Sequence, residues 1–318
     1  MNSIKIKCEK HLEELRKSLE CAYPEVSIFD KSLCVYACGS LGRLEMLEPS
    51  DLDLFFITME EDKSGNGEFF SNLDKYLFFA KLYEINKNLK YKDPSKKGGY
   101  WTFISKNNLL EIGSRQEDYN NSFTARMLLI LESKPVYNET AYGQLVKEMV
   151  DKYFVDYSDH ASKFHPLFLM NDILRYWYTL TMNYEYRRDD ADNESQKCWK
   201  RLKLKYARLV TCFSMLACLY ENGISSEYVI DCIKMTPFER LYMLSKKHVN
   251  LKKVVENIEK EYKWFLSLKQ YKSDWWDSEE NKAAAWNNAK KFHDIMMHKL
   301  MYFVSKANPD LRNKVDVY

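Results

Sequence analysis

The chain has 318 residues, enough for two ordinary domains or for one large core with a helical extension. Charged residues make up 30% of the sequence but balance to a net charge of +2, which argues against a general basic coat for nucleic acid. No apolar run approaches the roughly 18 residues of a membrane span, and the first ten residues lack a signal-peptide pattern. We therefore expect a cytoplasmic protein without membrane contact.

The cysteine and glycine content indicates the redox compartment and the kind of secondary structure. The eight cysteines show no C-x-x-C pair and no metal-ligand spacing, and several lie in apolar runs, where cysteine acts as a small hydrophobic side chain. We expect free thiols in a reducing compartment, without a disulfide framework. Glycine is scarce, with nine residues, and this scarcity favours few turns and long helices.

The first part of the chain predicts helix, strand, short helix and strand in that order. Residues 4–20 carry leucines at helical spacing and predict an amphipathic helix that packs against the sheet. The apolar run 33–38 predicts a first strand, and Gly39-Ser40 lies at the join between that strand and a short helix. After a turn, residues 51–57 (DLDLFFI) predict a second strand.

Two carboxylates stand on the second predicted strand. Side chains of a strand alternate between faces, so Asp51 and Asp53 would project from the same side. Carboxylates held that close repel each other and raise a pKa unless a cation lies between them. Oxygen ligands on a rigid strand suit Mg²⁺ or Mn²⁺, which complete their shell with waters and substrate phosphates. At Gly39-Ser40, the glycine would let the backbone approach an anion, and the helix N-terminus would offer N–H groups to a phosphate.

These residues follow one extended pattern, G-S-x-G-R-x-E…S-D-x-D, at Gly39-Ser40, Gly42-Arg43, Glu45, Ser50-Asp51 and Asp53. The pattern resembles the nucleotidyltransferase motif of the polymerase-β-like superfamily. With Arg43 and Glu45 present, it is most similar to the branch that contains the uridylyltransferases of the PII signal protein and relatives of unassigned substrate. A weaker resemblance to the same branch recurs at 109–115 (LLEIGSR) and 123–129 (FTARMLL), which look like its strand and following helix.

The resemblance implies an architecture and a reaction. A polymerase-β-like α/β nucleotidyltransferase domain at 1–150 would precede an α-helical domain at 151–318, with the active site in the cleft between them. The enzyme would move a nucleoside monophosphate from an NTP, such as ATP, to a hydroxyl acceptor and release pyrophosphate. Protein, RNA and small-molecule acceptors are all compatible with the sequence. A catalytically silent NTP-binding regulatory or partner-binding protein is one alternative, and a cyclic- or oligonucleotide synthase is another.

The resemblance also implies roles for individual residues. Asp51 and Asp53 would act as catalytic metal ligands for Mg²⁺ or Mn²⁺. Gly39, Ser40 and Arg43 would belong to the nucleotide-binding loop. Arg43 and the glutamate two residues later would brace that loop through a mutual or backbone-directed hydrogen bond.

The superfamily uses a third carboxylate on a neighbouring strand, and this chain offers several candidates. The uridylyltransferase pattern has an aspartate where this chain has Asn107, which is a departure from the pattern. Glu111, within a predicted short strand at 109–112, is the first candidate for the third catalytic acid and metal ligand. Asp118 is the second, and Glu117 ranks below it. Without a third acid, proton abstraction from the acceptor would weaken and a purely nucleotide-binding role would gain support.

From residue 138 onward the sequence predicts helices. Apolar spacing indicates a continuous stripe from Trp199 to Tyr220 and further helices at 225–246, 249–272 and 279–305. In polymerase-β-like enzymes a helical bundle completes the nucleotide pocket, so the resemblance implies a triphosphate-binding Lys or Arg in this half. Our candidates are Arg175, Lys200 and Lys203, each weighed against a solvated position on a helix face.

Overall fold

The computed structural model of the chain describes residues 2–24, 29, 32–47, 50–60, 69–94, 98, 101–113, 121–155, 157, 164–186, 194–270 and 273–315. The chain divides into two compact units, residues 1–152 and 153–318. Over the described residues, the fold is mostly helical with one small mixed sheet, which lies in the first unit. The predicted class, an α/β part followed by a helical part, is confirmed at that level. No helix in these ranges is long and apolar enough to cross a membrane.

The sheet of the first unit has four strands in the order β3-β2-β1-β4. β1 pairs antiparallel with both β2 and β4, and β2 pairs parallel with β3. The strands are β1 (Leu33–Ala37), β2 (Leu54–Thr58), β3 (Phe103–Ser105) and β4 (Lys134–Tyr137).

Helices cover the sheet in the described part of this unit. One face packs on the first and third helices, where Leu12, Leu15 and Leu19 join Phe78 and strand residues in one apolar cluster. Leucines at spacings of three and four lie on one helix face, which confirms the helix predicted near the start of the chain. The helices are α1 (Asn2–Ala22), α2 (Gly39–Gly42), α3 (Asn72–Asn88), α4 (Lys106–Leu110), α5 (Ser122–Glu132) and α6 (Glu139–Tyr153).

The second strand is shorter than its sequence predicts, because β2 begins at Leu54 and not at Asp51. The partner strand explains the difference. β1 ends at Ala37, opposite Leu54, and the chain then turns into α2. One further backbone hydrogen bond, from the Cys38 N–H to the Asp53 carbonyl (2.8 Å), extends the pairing. The two aspartates therefore lie directly before the strand.

The prediction of a strand at 109–112 is wrong, because a helix occupies Lys106–Leu110. The strand that pairs with β2 is β3, and the chain enters α4 immediately after it. The Ser105 hydroxyl caps that helix by accepting the N–H of Asn107 (3.2 Å), which is a common way to start a helix. Glu111 follows the last residue of α4 and lies off the sheet.

The second unit is helical throughout its described residues. The prediction of a single helix at 225–246 is wrong. The chain forms two helices there, and the first ends before Pro237, whose ring cannot continue a preceding helix. Thr236 and Glu239 form a capping box at the new start. The helices are α7 (Leu167–Tyr186), α8 (Glu194–Lys203), α9 (Leu209–Leu219), α10 (Ser226–Lys234), α11 (Pro237–Lys247), α12 (Lys252–Ser267), α13 (Glu279–Asp294), α14 (Tyr302–Lys306) and α15 (Pro309–Val315), with π-helical segments at Leu204–Arg208 and Ile295–Met301.

All eight cysteines are free thiols, as the sequence predicts, and seven of them are buried. Cys8 of α1 illustrates their packing role. Its Sγ donates to the Met46 carbonyl (3.3 Å) and accepts the Met46 N–H (3.2 Å). This pair of contacts attaches the loop after α2 to the first helix.

Candidate functional site

Asp51 and Asp53 lie on the same side of an extended segment. Leu52 and Leu54 are each 4% exposed, whereas Asp53 is exposed and Asp51 is half-buried. Because side chains alternate in extended backbone, the leucines anchor the segment in the core and the aspartates face the opposite way. Asp51 and Asp53 therefore face the same side, as predicted, although the strand itself begins after them.

The side that carries the aspartates is the face of the sheet that α5 covers. Phe55, two residues after Asp53, stacks on Tyr36 of β1 with ring centroids 5.5 Å apart. The Tyr36 hydroxyl donates to the Ala125 carbonyl of α5 (2.8 Å). The last residue of α5 is Glu132, which the following contacts place beside the glycine turn.

The Asp53 carboxylate packs directly against Gly39. The backbone of Gly39 has φ +66°, and a Cβ built there would overlap Asp53 Oδ2 and lie 3.3 Å from its Cγ. Glycine meets both requirements, since it adopts a positive φ without strain and leaves room for the carboxylate. The turn that was predicted to bind phosphate and a predicted metal ligand are thus in contact.

Gly42, the second glycine of the turn, permits a similarly close approach. A Cβ at this position would overlap the Glu132 carbonyl oxygen and lie 2.8 Å from the Ala37 carbonyl oxygen. The absence of a side chain lets α2 sit against both the end of β1 and the end of α5. Any larger residue would push the turn away from the ends of β1 and α5.

Arg43 is held between two buried carboxylates. Its Nε donates to Glu45 Oε1, and its Nη1 donates to Glu132 Oε2 at 2.6 Å. Glu45 and Glu132 are 4% and 2% exposed. Buried charges are stable only when they are paired and hydrogen-bonded, so this arrangement fixes the loop in one position. The predicted hydrogen bond between Arg43 and Glu45 is present.

Glu132 also reaches the turn itself. Its Oε1 accepts the Gly39 N–H at 3.1 Å, while Oε2 binds Arg43. The Gly39 N–H, which the sequence suggests as a phosphate donor, therefore donates to a carboxylate in this structure. Glu132 was not among the residues predicted for the site. One feature of the sequence does indicate it, because Glu132 is a lone carboxylate at the end of the apolar run RMLLILE, where a buried charge requires a partner.

Ser40 connects the turn to the segment of the aspartates. Its Oγ lies 3.4 Å from the Ser50 Oγ, and the Ser50 hydroxyl donates to the Asp51 carbonyl (3.2 Å). The Ser40 carbonyl accepts the Glu45 N–H (2.9 Å), which closes the loop. Both hydroxyls are half-buried and lie on the path between the glycine turn and the first aspartate.

The third-acid candidates do not join this group among the residues that the structure describes. Glu111 is exposed and follows α4, and its carbonyl accepts Nη1 of the buried Arg126 (3.1 Å). Asp118 and Glu117 lie outside the described residues. Within the described ranges, no three His, Cys, Asp or Glu side chains are grouped so as to hold a metal ion.

The basic candidates of the second unit occupy three different settings. Arg175 pairs with Asp172 (Nη2 to Oδ1, 3.0 Å), which also accepts the Tyr153 hydroxyl (2.7 Å). Lys203 places its Nζ 5.8 Å from the ring centroid of Trp199, one turn earlier in the same helix. Lys200 is exposed. Arg175 is thus an exposed side chain that pairs with a buried aspartate of its own helix.

Comparison with known proteins assigns no family. The chain matches no protein-family model, no curated protein and no solved structure. A functional proposal therefore depends on the residues around Gly39 and Asp53 and on the motif that they form.

Proposed function

We propose that this protein is a metal-dependent nucleotidyltransferase, which moves a nucleoside monophosphate from an NTP to a hydroxyl acceptor and releases pyrophosphate. One observation carries the proposal. The Asp53 carboxylate packs against Gly39 of the glycine turn, and Asp51 lies on the same side two residues earlier. The resemblance of this motif to that of polymerase-β-like nucleotidyltransferases supports the reaction class.

The donor set fits Mg²⁺ or Mn²⁺. These cations prefer oxygen ligands, and Mg²⁺ is commonly bound by one or two carboxylates together with waters and substrate phosphates. Asp51 and Asp53 supply two carboxylates, one half-buried and one exposed, so solvent and substrate can complete the shell. When bound, the cation would offset negative charge on the triphosphate during the displacement.

The residues of the turn position the nucleotide in this proposal. Gly39 presents no side chain toward Asp53, and the Ser40 hydroxyl, which lies 3.4 Å from the Ser50 hydroxyl, would bind a phosphate oxygen. Glu132 and Arg43 act as positioning residues, since they hold the turn and do not need to touch the substrate. Such fixed geometry matters because a misplacement of about 1 Å can cost roughly 100-fold in rate.

A catalytically silent NTP-binding or partner-binding protein is the second candidate. The position of Glu111 favours it, because this residue lies off the sheet. No group of three metal-binding side chains occurs among the described residues either. A third acid would help to activate the acceptor hydroxyl, so its loss would leave binding without transfer.

The two candidates are separated by a transfer assay. The purified protein is incubated with each of the four α-³²P-labelled NTPs, Mg²⁺ and a cell lysate as a source of acceptors. We expect label on an acceptor with at least one NTP, its loss in EDTA, and its loss in Asp53→Asn. Asp93→Asn is the matched control, since Asp93 is an exposed aspartate of the same unit that pairs with the exposed Lys87 (2.5 Å). NTP binding without transfer would favour the silent protein, and the absence of both would contradict both candidates.

A further inference from the structure

The second unit contains a concentrated basic segment. Residues 194–208 (ESQKCWKRLKLKYAR) hold six basic side chains against one acidic side chain, a net charge of +5 in a chain whose total is +2. The segment forms α8 and the π-helical stretch that follows it. Leu202 and Tyr206 are fully buried and fix the segment, whereas Lys200 and Arg201 are exposed. The charge is therefore presented on the surface.

The basic segment packs against α13. The Arg201 guanidinium lies over the ring of Trp286, with Cζ 4.5 Å from the ring centroid. Burial lowers the pKa of His293, and the nearby Lys205 charge lowers this pKa further. Lys290 shares one side of α13 with Trp286 and His293, because positions i, i+4 and i+7 lie on one helix face. We call Arg201, Lys205, Trp286, Lys290 and His293 the basic face.

The cations of the basic face differ from their neighbours in their pairing. Arg201, Lys205 and Lys290 have no carboxylate at ion-pair distance in the described part of the chain, and Asp294 of α13 pairs with His293 (3.9 Å). On the same helix, Lys282 pairs with Glu279 (2.7 Å) and Lys291 pairs with Glu261 (2.5 Å). Three positive charges thus stand together without neutralisation, beside a half-buried indole ring.

We propose that the basic face binds a single-stranded polynucleotide. Phosphates of such a strand would neutralise the three cations and release their counterions. The bases of the strand would stack on the exposed side of the Arg201 guanidinium and on the ring of Trp286, as in other single-strand sites that tolerate many sequences. An acidic peptide would match the charge but would offer no rings to these planar groups. The surface lies on two helices of the second unit, and its binding does not depend on transfer chemistry at Asp53.

Fluorescence anisotropy with labelled 20-nucleotide single-stranded RNA and DNA tests the proposal directly. The test variant is Arg201→Gln/Lys205→Gln/Lys290→Gln. The control variant is Lys252→Gln/Lys253→Gln/Lys260→Gln, which removes three exposed lysines of α12 and the same net charge. The measurement is made in EDTA without NTP, so that a failure of the transferase proposal does not affect it. Tighter binding of RNA or of DNA would identify the natural strand, and equal binding of both would indicate recognition without regard to the sugar; each result supports the proposal.

The expected effects follow from counterion release. Each phosphate contact to a single strand contributes about 0.7 to the slope of log K against log salt, so three lost contacts lower the slope by about 2. The same contacts are worth roughly 100-fold in affinity at 0.1 M salt relative to 1 M. We expect this loss in the test variant, with the control variant close to wild type. Trp286→Leu is expected to weaken binding by about tenfold with an unchanged salt slope, because stacking is not a charge contact.

Three results would overturn the proposal. The first is equal binding of the strand by the test and control variants, which would assign the effect to net charge alone. The second is competition by a 20-residue polyglutamate as strong as that by RNA, which would make the face a docking site for acidic protein segments. The third is no binding by the wild-type protein at 0.1 M salt. Thermal unfolding followed by circular dichroism confirms that each variant is folded.

Discussion

Substitution of Gly39 by alanine perturbs the contact that carries the functional proposal. The backbone at Gly39 has φ +66°, where an L-residue costs about 1–2 kcal/mol. The added Cβ would also overlap the Asp53 carboxylate, and relief of such a collision costs about 1–3 kcal/mol in a packed structure. We therefore expect Gly39→Ala to destabilise the first unit by about 2–5 kcal/mol and to displace Asp53.

Gly223 provides a matched control for the backbone term. Its φ is +67°, and a Cβ built there meets nothing within 4 Å, so Gly223→Ala carries the backbone cost alone. Because the two glycines lie in different units, we would read local unfolding free energies by hydrogen–deuterium exchange of peptides around each site. Nucleotide transfer should fall at least 100-fold in Gly39→Ala and stay near wild type in Gly223→Ala. Equal destabilisation within about 0.5 kcal/mol, with transfer retained in both variants, would show that the contact between Gly39 and Asp53 has no role in stability or transfer.

Three further predictions concern acids and a histidine. Glu132→Ala should cost about 3–5 kcal/mol by urea denaturation, because it leaves the Arg43 guanidinium with one fewer buried partner, whereas the exposed Glu20→Ala should change the unfolding free energy by less than about 0.5 kcal/mol. Glu111→Gln should change the transfer rate less than about twofold, since this residue is exposed and off the sheet, and a tenfold loss would restore it as the third acid. Burial lowers the pKa of His165 from its ordinary 6.5, so the unfolded chain takes up the proton first as the pH falls. The unfolding free energy should therefore decrease below about pH 6.5, and this decrease should be smaller in His165→Gln.

Local sequence patterns predict much of the secondary structure of the first unit. The apolar run of β1 and the leucine spacing of α1 each predict one structure, because period and length agree. The alternation around Asp51 and Asp53 also survives, since it depends on the burial of the intervening leucine, whether or not the segment is counted as strand. The hydrogen bond between Arg43 and Glu45 joins residues two positions apart and could be inferred from the motif.

The features that the sequence does not predict depend on contacts between residues that are far apart in the chain. The run LLEI has no period that separates strand from helix, and it lies outside the sheet, whose third strand pairs Phe103 with Phe56. Glu132 is 89 residues from Arg43 in sequence, so its role appears only when α5 is placed beside the turn. The break before Pro237 was readable from the proline and its capping residues, but the apolar spacing on either side suggested one helix.

In the proposed reaction, Asp51 and Asp53 support transfer of the nucleoside monophosphate part of an NTP. The most direct measurement uses the reactive NTP labelled in parallel at its α- and γ-phosphates, with wild type and Asp53→Asn under identical Mg²⁺ and acceptor. We expect that the acceptor gains the α-label only, that the γ-label leaves as pyrophosphate, and that Asp53→Asn loses both by more than tenfold. Transfer of the γ-label, or α-label transfer in Asp53→Asn at more than about a tenth of the wild-type rate, would contradict it.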